Sequence, residues 1–540
     1  MHFLKPRQDE EDPCRISIII LLTIEGATKM KFVKLPVEAQ KIINNPTHEE
    51  LKALARKGCR KTVYDSASFI SGVRNRSAKK TFIVEDGVPL GVDQQGISVE
   101  EAIRIAGEVH KYLKNQEVIQ LDRRMGLHRD FSLHCRLYIT SKFARIPLKW
   151  NIMLFPPVDS EADPDLVSVY VPEWHERVIF CHPLAGITYI LGTDYFGEAK
   201  KSFLRMAMFR CKQSGGLGFH AGSKVLRVKD VTGELKDVGF LLFGLSGTGK
   251  TTLTMHDHGL KEPERAIIRQ DDVVMMNPQG YCFGTENGFY IKTEGLDESQ
   301  KVLYKAAQSP EAIFENVKVN DNGLIDFDNS ELTSNGRGVI RREDVPGVDQ
   351  GIDLEKAHRL IFITRHDTIV PPVAKLNPTQ AAAFFMLGES IETSAGDPTK
   401  AGQSKREVGT NPFIVGLEGE EGNRLLEILE ANPDIECYLL NTGSVGTGGN
   451  RPGIKISIGA STNILKHIAK GDIKWKQDPD WGYLVPELIP EMDMHAYDPS
   501  SYYAEEDYHS MVDQLREERI KWLAKYRELK QEIKNAITKE

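Results

Sequence analysis

Residues 237–253 read DVGFLLFGLSGTGKTTL. The first part, 237–243, is a short, nearly continuous apolar run. Such a run suits a strand buried on both faces of a mixed or parallel sheet. The second part, Gly244-Leu245-Ser246-Gly247-Thr248-Gly249-Lys250-Thr251, is a complete G-x-x-x-x-G-K-[ST] P-loop. Its glycines let backbone N–H groups turn inward toward phosphate oxygens. The N-terminus of the helix that follows adds a favourable dipole. Lys250 then neutralises the β- and γ-phosphates, and the Thr251 hydroxyl ligates Mg2+. A glycine-rich turn without a ligand is the competing reading, and the strand-before, helix-after context weighs against it.

Downstream, residues 266–272 read AIIRQDD. A pair of aspartates is most often an exposed turn. Behind a P-loop strand, an apolar lead into Asp271-Asp272 suits a strand ending at a phosphate site. One carboxylate can hold Mg2+ in the Walker-B manner and the other can ligate a second metal.

Further outward, the chain reads as an α/β protein with its main boundary near 216–222, where SGGLG precedes the nucleotide half. Two domains are expected: 1–216, and 217–540 with a charged C-terminal helix. Strands are expected at 81–84, within 168–180, and at 266–268, 360–364, 436–440 and 454–458. Helices are expected at 46–58, with a Thr47/Glu50 capping box, at 378–387 and 422–431, and over a tail from about 504 to 537. In that tail Leu515, Trp522, Leu523, Tyr526, Leu529 and Ile533 form an apolar stripe that packs on the body.

Composition narrows the function classes. The 540 residues are 40% hydrophobic and 27% charged, with a formal net charge of -8. A nucleic-acid binder should show a basic excess, which is absent. Seven scattered cysteines with no CxxC pair argue against a disulfide framework or a cysteine zinc site, and fit a reducing cytoplasm. The apolar run at 17–24 is too short to span a bilayer, which takes about 20 residues. It reads as a buried strand or an upstream-start artefact. Met30 offers an alternative start, so 1–29 is expected to be dispensable. A chain beginning at Met30 should be soluble and active, and loss of folding on that truncation would place the segment in a core.

A P-loop identifies a phosphate binder, not a reaction. The flanking segments closely resemble the ATP-dependent phosphoenolpyruvate carboxykinases. The resemblance rests on GLSGTGKTTL at 244–253, on Tyr195-Phe196-Gly197-Glu198-Ala199-Lys200-Lys201, and on His220 nineteen residues after Lys201. It also rests on Arg76-Ser77, on Gly323–Asp328 followed by Ser334-Asn335-Gly336-Arg337, on Pro371-Pro372-Val373, and on Asn441-Thr442-Gly443. It covers about residues 60 to 470. Departures exist: Val273-Val274-Met275 follows the aspartates where Glu-His-Gly is usual, and Lys455 and Ser461 replace the usual arginine and threonine of the adenine segment. GGNRPG is inserted at 448–453.

The resemblance implies a two-domain carboxykinase fold with a P-loop mononucleotide-binding C-terminal domain and a substrate-binding N-terminal one. It implies a cytoplasmic lyase of gluconeogenesis that converts oxaloacetate and ATP to phosphoenolpyruvate, ADP and CO2 with Mn2+ and Mg2+, without nucleic-acid or membrane partners. It assigns one metal to Lys201, His220 and Asp272, and a second, Mg2+, to Thr251. A lysine ligand must be neutral, so burial must lower its pKa strongly. Arg76 pairs with a substrate carboxylate, Tyr195 lies against substrate or CO2, and Arg337 contacts the transferring phosphoryl group. Lys201, Arg337 and Lys250 are the catalytic set. ATP falls to the P-loop from Gly244 through Thr251, to Thr252, Glu286 and Arg337, and to Lys455, Ile456 and Ser461. Lys292 and Thr293 belong to the same stretch as Glu286. Competing readings are a GTP-dependent carboxykinase, whose P-loop typically carries a cysteine, and a non-catalytic nucleotide-binding regulator. Lys250→Ala is expected to remove phosphoryl transfer with the fold intact. An assay of nucleotide-dependent CO2 release tests this, and near-normal turnover would refute it.

Overall fold

A computed structural model describes residues 20–24, 27–31, 37–245, 247–391 and 403–538. It is a mixed α/β structure with several sheets. Two of these have eight strands each. The first runs in the order Lys41–Asn44, Glu117–His128, Phe131–Thr140, Leu166–Val171, Ile187–Leu191, Val178–His182, Thr81–Val84, Gly96–Ile97. Its central strand LVSVYV is buried at every position. Side chains alternate across a strand, and both faces here are covered. Val167, Val169 and Val171 meet the helix Val99–Leu113. Leu166 and Tyr170 meet the helix Phe196–Gln213, where the Ser168 and Ser202 hydroxyls also bond at 2.9 Å.

The second eight-stranded sheet runs Arg265–Gln270, Ala221–Lys229, Leu235–Gly244, Arg359–Thr364, Glu436–Asn441, Val373–Leu376, Leu484–Leu488, Lys474–Gln477. The P-loop strand Leu235–Gly244 lies antiparallel to Ala221–Lys229 and parallel to Arg359–Thr364. Its apolar run is buried on both sides, as the sequence requires. Leu241 and Phe243 face the helix Pro378–Leu387 and the C-terminal tail. Phe240 and Leu242 face the helix Ile458–Lys470.

A five-stranded sheet, Phe289–Lys292, Arg337–Ile340, Ile313–Glu315, Ala67–Phe69, Arg60–Lys61, draws strands from both sides of residue 216. The core under the helix Phe196–Gln213 does likewise, combining Phe203 and Met206 with Val273, Met275 and Phe413. The ends of the P-loop strand and of Arg265–Gln270, and the start of the helix Phe196–Gln213, thereby open onto one cleft.

Several local expectations hold. The helix His48–Ala55 carries the Thr47/Glu50 capping box. Pro378–Leu387 begins at a second such box, Asn377 with Gln380. The expected strand at 454–458 is corrected. Only Ile454–Lys455 is strand, because the Ser457 hydroxyl accepts the Ala460 N–H and starts the helix Ile458–Lys470. The single tail helix is also corrected. It forms Glu505–Leu523 and Gln531–Asn535, separated by residues 524–530. The apolar stripe packs as expected: Leu523, Tyr526, Leu529 and Ile533 are buried in the core around Pro378–Leu387. Residues 17–19 of the N-terminal apolar run lie outside the described residues. The strand Ile20–Ile24 pairs antiparallel with Ala27–Lys31, with Leu21 opposite Met30. A start at Met30 therefore divides a hairpin that, among the described residues, joins no larger sheet. Such a two-stranded unit has little stability of its own.

The tail is fixed by a buried charge pair. The Arg519 guanidinium, 1% exposed, binds both oxygens of Glu389, 2% exposed. It also lies 4.8 Å from the Trp481 ring centroid and 4.9 Å from that of Phe384. Burial alone would raise the Glu389 pKa, yet Arg519 and His366 hold it well below the usual carboxylate range. Glu389→Gln leaves the guanidinium buried and uncompensated, and should cost about 3–5 kcal/mol in denaturant unfolding. A depressed folded pKa stabilises above the unfolded value. The difference from wild type should therefore be full above about pH 5 and shrink below about pH 4. A variant as stable as wild type at neutral pH would refute this.

Candidate active site

The P-loop turns from strand to helix in five residues. Gly247 and Gly249 have φ of 87° and 90°, which side chains other than glycine rarely adopt. At Gly244 a Cβ would fall 2.4 Å from Thr248 Oγ1, so the turn closes only around glycine. Thr248 donates its hydroxyl to the Leu245 carbonyl at 2.8 Å, and its own carbonyl accepts from Thr442 at 2.8 Å. Arg365 donates to the Gly247 carbonyl at 3.3 Å. Thr442 and Arg365 thus tie the loop to two neighbouring strand ends. Lys250 opens a helix of six residues, Lys250–Met255. Lys250, Thr251 and Thr252 line a cavity of about 490 Å³. Ser246 lies outside the described residues.

Across the same cavity, three donors converge. His220 occupies the single position between the strands Leu217–Phe219 and Ala221–Lys229. Its Nδ1 donates to the Thr410 carbonyl at 2.6 Å. A carbonyl can only accept, so Nδ1 carries the proton and Nε2 faces Asp272 Oδ1 at 3.0 Å. Burial and the Lys250 charge push the imidazole down to about 4. At neutral pH, two lone pairs therefore face each other with no proton between them, a gap that suits a cation. Lys201 Nζ reaches the other Asp272 oxygen. Burial drives the Lys201 amine down to about 7, against the pull of Asp272 and helped by the neighbouring Lys200 charge. Burial would raise Asp272, but Lys200 and Lys201 hold it far below its ordinary value. Asp271 lines the cavity with Oδ1 buried and without a partner.

The rest of the wall is cationic and aromatic. Arg76 lies 4.6 Å and Lys201 4.7 Å from the Phe413 ring centroid. Opposite, the Tyr195 hydroxyl receives hydrogen bonds from Tyr290 and from Asn335 Nδ2, each at 3.1 Å. Asn335 Oδ1 accepts two from Arg337, at 3.0 and 2.8 Å. The cavity therefore places a P-loop, a nitrogen-and-oxygen donor set and two arginines within reach of one bound molecule.

The sequence profile of the phosphoenolpyruvate carboxykinase family matches residues 40–495. The chain belongs to this family. It is 37% identical over 373 residues to the ATP-dependent phosphoenolpyruvate carboxykinase of Aeropyrum pernix, covering 68% of this chain and 73% of that one. The enzyme of the same name from Rhizobium rhizogenes is 26% identical over 487 residues, covering 85% and 87%. That of Brucella anthropi is 29% identical over 456 residues, covering 80% and 81%.

Within this carboxykinase chain, most of the expected site residues meet. Arg76, Tyr195, Lys201, His220, Asp272 and Arg337 share the cavity with Gly244, Leu245, Gly247, Gly249 and Lys250–Thr252. Lys292 lines it as well. Thr248 is buried and holds the loop from behind. Others do not reach it. Glu286 is buried behind Asp272, bound to Lys200 at 2.7 Å, and Thr293 is buried beside Gly336. Lys455 is exposed on its short strand, while Ile456 and Ser461 are buried around the start of the helix Ile458–Lys470. These three stand apart from the cavity wall.

Residues not singled out from sequence complete the site. Lys200 is buried and bridges Asp272, at 2.5 Å, to Glu286. Phe413 and Tyr290 line the cavity, Asn335 holds Tyr195 and Arg337 from behind, and the Thr410 carbonyl fixes the His220 tautomer. Lys200, in the KK pair, and Asn335, in Ser334–Arg337, lie inside motifs visible in the sequence; the others carried no signal. Family members generally use divalent metals, and the donors fit. His220 Nε2, Asp272 and Lys201 suit one cation, and Thr251 with Asp271 a second. Among the described residues no group of three or more His, Cys, Asp or Glu side chains is arranged for a metal. The first set therefore depends on the Lys201 amine. Asn335→Ala removes the acceptor that orients Arg337 and a donor to Tyr195. It should lower kcat/KM about ten- to a hundredfold in an oxaloacetate decarboxylation assay. An unchanged value would release Asn335 from that role.

Proposed function

We propose that this chain is an ATP-dependent phosphoenolpyruvate carboxykinase that turns oxaloacetate and ATP into phosphoenolpyruvate, ADP and CO2. The observation that carries the reading is the convergence of Lys201, His220 and Asp272 on the cavity that holds both the P-loop and Arg76. A P-loop kinase without decarboxylation has no use for an amine–imidazole–carboxylate donor set opposite a carboxylate-binding arginine. An N-terminal substrate-binding half and a C-terminal P-loop half, a cytoplasmic location and a role in gluconeogenesis belong to the same reading. Among the described residues no helix is long and apolar enough to cross a membrane.

The chemistry follows from the groups on the wall. Arg76 pairs with a carboxylate of oxaloacetate. The C–C bond to the departing carboxylate breaks, CO2 leaves, and the electron pair becomes an enolate. The enolate oxygen attacks the γ-phosphorus, the bond to the β-phosphate oxygen breaks, and ADP departs. The P-loop N–H groups and Lys250 hold the β- and γ-phosphates in line. Arg337, kept in place by Asn335 and the Tyr290 ring, meets the charge spread over the transferring phosphoryl oxygens. Tyr195 fixes the face of the substrate. Bound Mn2+ or Mg2+ supplies positive charge to the enolate and phosphoryl oxygens. Lys201, His220 and Asp272 would hold one such ion and Thr251 the other.

Two measurements test this. CO2 release from oxaloacetate should be supported by ATP at a kcat/KM well above that with GTP. Comparable values would refute the nucleotide preference, and no release with either would refute the activity. Lys201→Arg keeps a positive charge but cannot ligate, because arginine stays protonated. By manganese paramagnetic resonance it should lose Mn2+ affinity at least tenfold, nearly as far as Lys201→Ala. Retained affinity would make Lys201 a simple cation.

A further inference from the structure

Behind Arg76 lies a second cavity of about 310 Å³. It shares Arg76, Glu407 and Pro412 with the active-site cavity, and none of the P-loop or metal-donor residues. Its inner end carries two guanidiniums, Arg76 and Arg205. Arg205 is 7% exposed. Among the described residues neither forms an ion pair; Arg205 leans on the Cys181 thiol and the Phe413 ring, and Arg76 donates one long bond of 3.5 Å to the Pro412 carbonyl. The two charges oppose each other strongly enough that Arg205 is, after burial, the chief cause depressing the Arg76 pKa.

Buried charges are paired or they are costly. The acidic groups of the cavity are mostly engaged elsewhere. Glu418 accepts from the Val92 N–H at 2.8 Å and from Gln94 at 2.9 Å. Asp93 is exposed. Two carboxylates act on Arg76, Glu198 from the neighbouring helix, which also accepts the Ser77 N–H, and Glu407 of the cavity, whose pKa burial raises. A third guanidinium, Arg406, is bound through Nη2 to Glu389 and Glu518, but its Nε is buried and without a partner. The tail contributes Trp522 and Tyr526 as an apolar wall. Its indole N–H is already spent on the Met386 carbonyl at 2.8 Å.

We propose that this cavity is a second, non-catalytic binding site for a short-chain dicarboxylate, seated on Arg205 with its carbon body against Trp522 and Tyr526. The volume exceeds what a single bicarbonate needs, and unpaired guanidinium donors select carboxylates over neutral ligands. The site rests on the proposed role of Arg76 only for its effect. A carboxylate beside Arg76 weakens the hold of Arg76 on substrate, so the dicarboxylate inhibits, and substrate weakens its binding reciprocally.

The probe is succinate, which cannot be decarboxylated to an enolate. Calorimetric titration of the full chain with phosphoenolpyruvate and Mn2+ saturating should show one succinate bound per chain. Arg205→Met should weaken that binding at least tenfold, while kcat and the KM for oxaloacetate measured without succinate stay within about threefold. Its melting temperature provides the folding control. Three results would overturn the proposal: no succinate bound once phosphoenolpyruvate saturates, succinate affinity unchanged in Arg205→Met, or a KM for oxaloacetate that rises in step with the loss. The wild-type titration decides the matter even if Arg205→Met misfolds. Because it reads binding alone, it stands whether or not the chain turns over oxaloacetate.

Discussion

The Asp272 carboxylate sits where three parts of the chain meet. The strand Arg265–Gln270 delivers it, the helix Phe196–Gln213 brings Lys200 and Lys201, and the junction before Ala221–Lys229 brings His220. In a low-dielectric interior such a carboxylate survives only if its charge is met. Lys200 meets it at 2.5 Å, but Lys200 is shared with Glu286. One ammonium between two carboxylates leaves one negative charge over. Lys201, brought down to about 7, is only partly charged at neutral pH, and His220, at about 4, is neutral, so together they cancel it only in part. The excess charge and the two lone pairs that face it are what a divalent cation requires. The packing of the sheets and the site helix therefore sets a charge balance, not only a shape.

Adjacent lysines can share this work because of helix geometry. Successive residues on a helix point about 100° apart. Lys200 turns inward to Glu286 and Lys201 toward the cavity, while both still reach Asp272. Glu198, on the same first turn, accepts the Ser77 N–H at 2.5 Å, which holds the segment carrying Arg76 against the helix. The Lys200–Lys201 pair and Arg76 are in this way referred to one rigid element.

The parts of this arrangement legible in the sequence are those written in consecutive residues. The P-loop is contiguous, and its glycine spacing states its own geometry. The apolar runs at 237–243, 360–364 and 436–440 became central strands because burial on both faces leaves little choice. The strand expected at 454–458 failed where a local polar signal won: Ser457 caps a helix, and two apolar residues before it could not extend a strand through that cap. The tail was legible by its stripe but not by its break at 524–530. Lys201 and His220 came from family resemblance, whereas Asp272 was already marked by the apolar lead into the aspartate pair behind the P-loop. No local pattern says that residues twenty or seventy apart converge. The parts played by Phe413, Thr410 and Asn335 stayed invisible for the same reason. Their roles exist only after folding, through a ring face, a carbonyl and an amide brought from elsewhere in the chain.

Phe413 shows how much such a contact organises. Arg76, Lys201 and Arg205 all lie within 6 Å of its ring centroid, at 4.6, 4.7 and 5.9 Å. A ring face attracts cations through its quadrupole, so one side chain gathers three groups that would otherwise repel. Lys201 and Arg205 are four residues apart on one helix, so their side chains lie side by side against the ring. Arg76 arrives from a different segment and faces both cavities. A ligand that draws Arg76 toward Arg205 therefore shifts it relative to Lys201, which shares the Phe413 ring with it. The two cavities are separated by side chains that answer to the same ring, and that is the physical reason for them to be coupled.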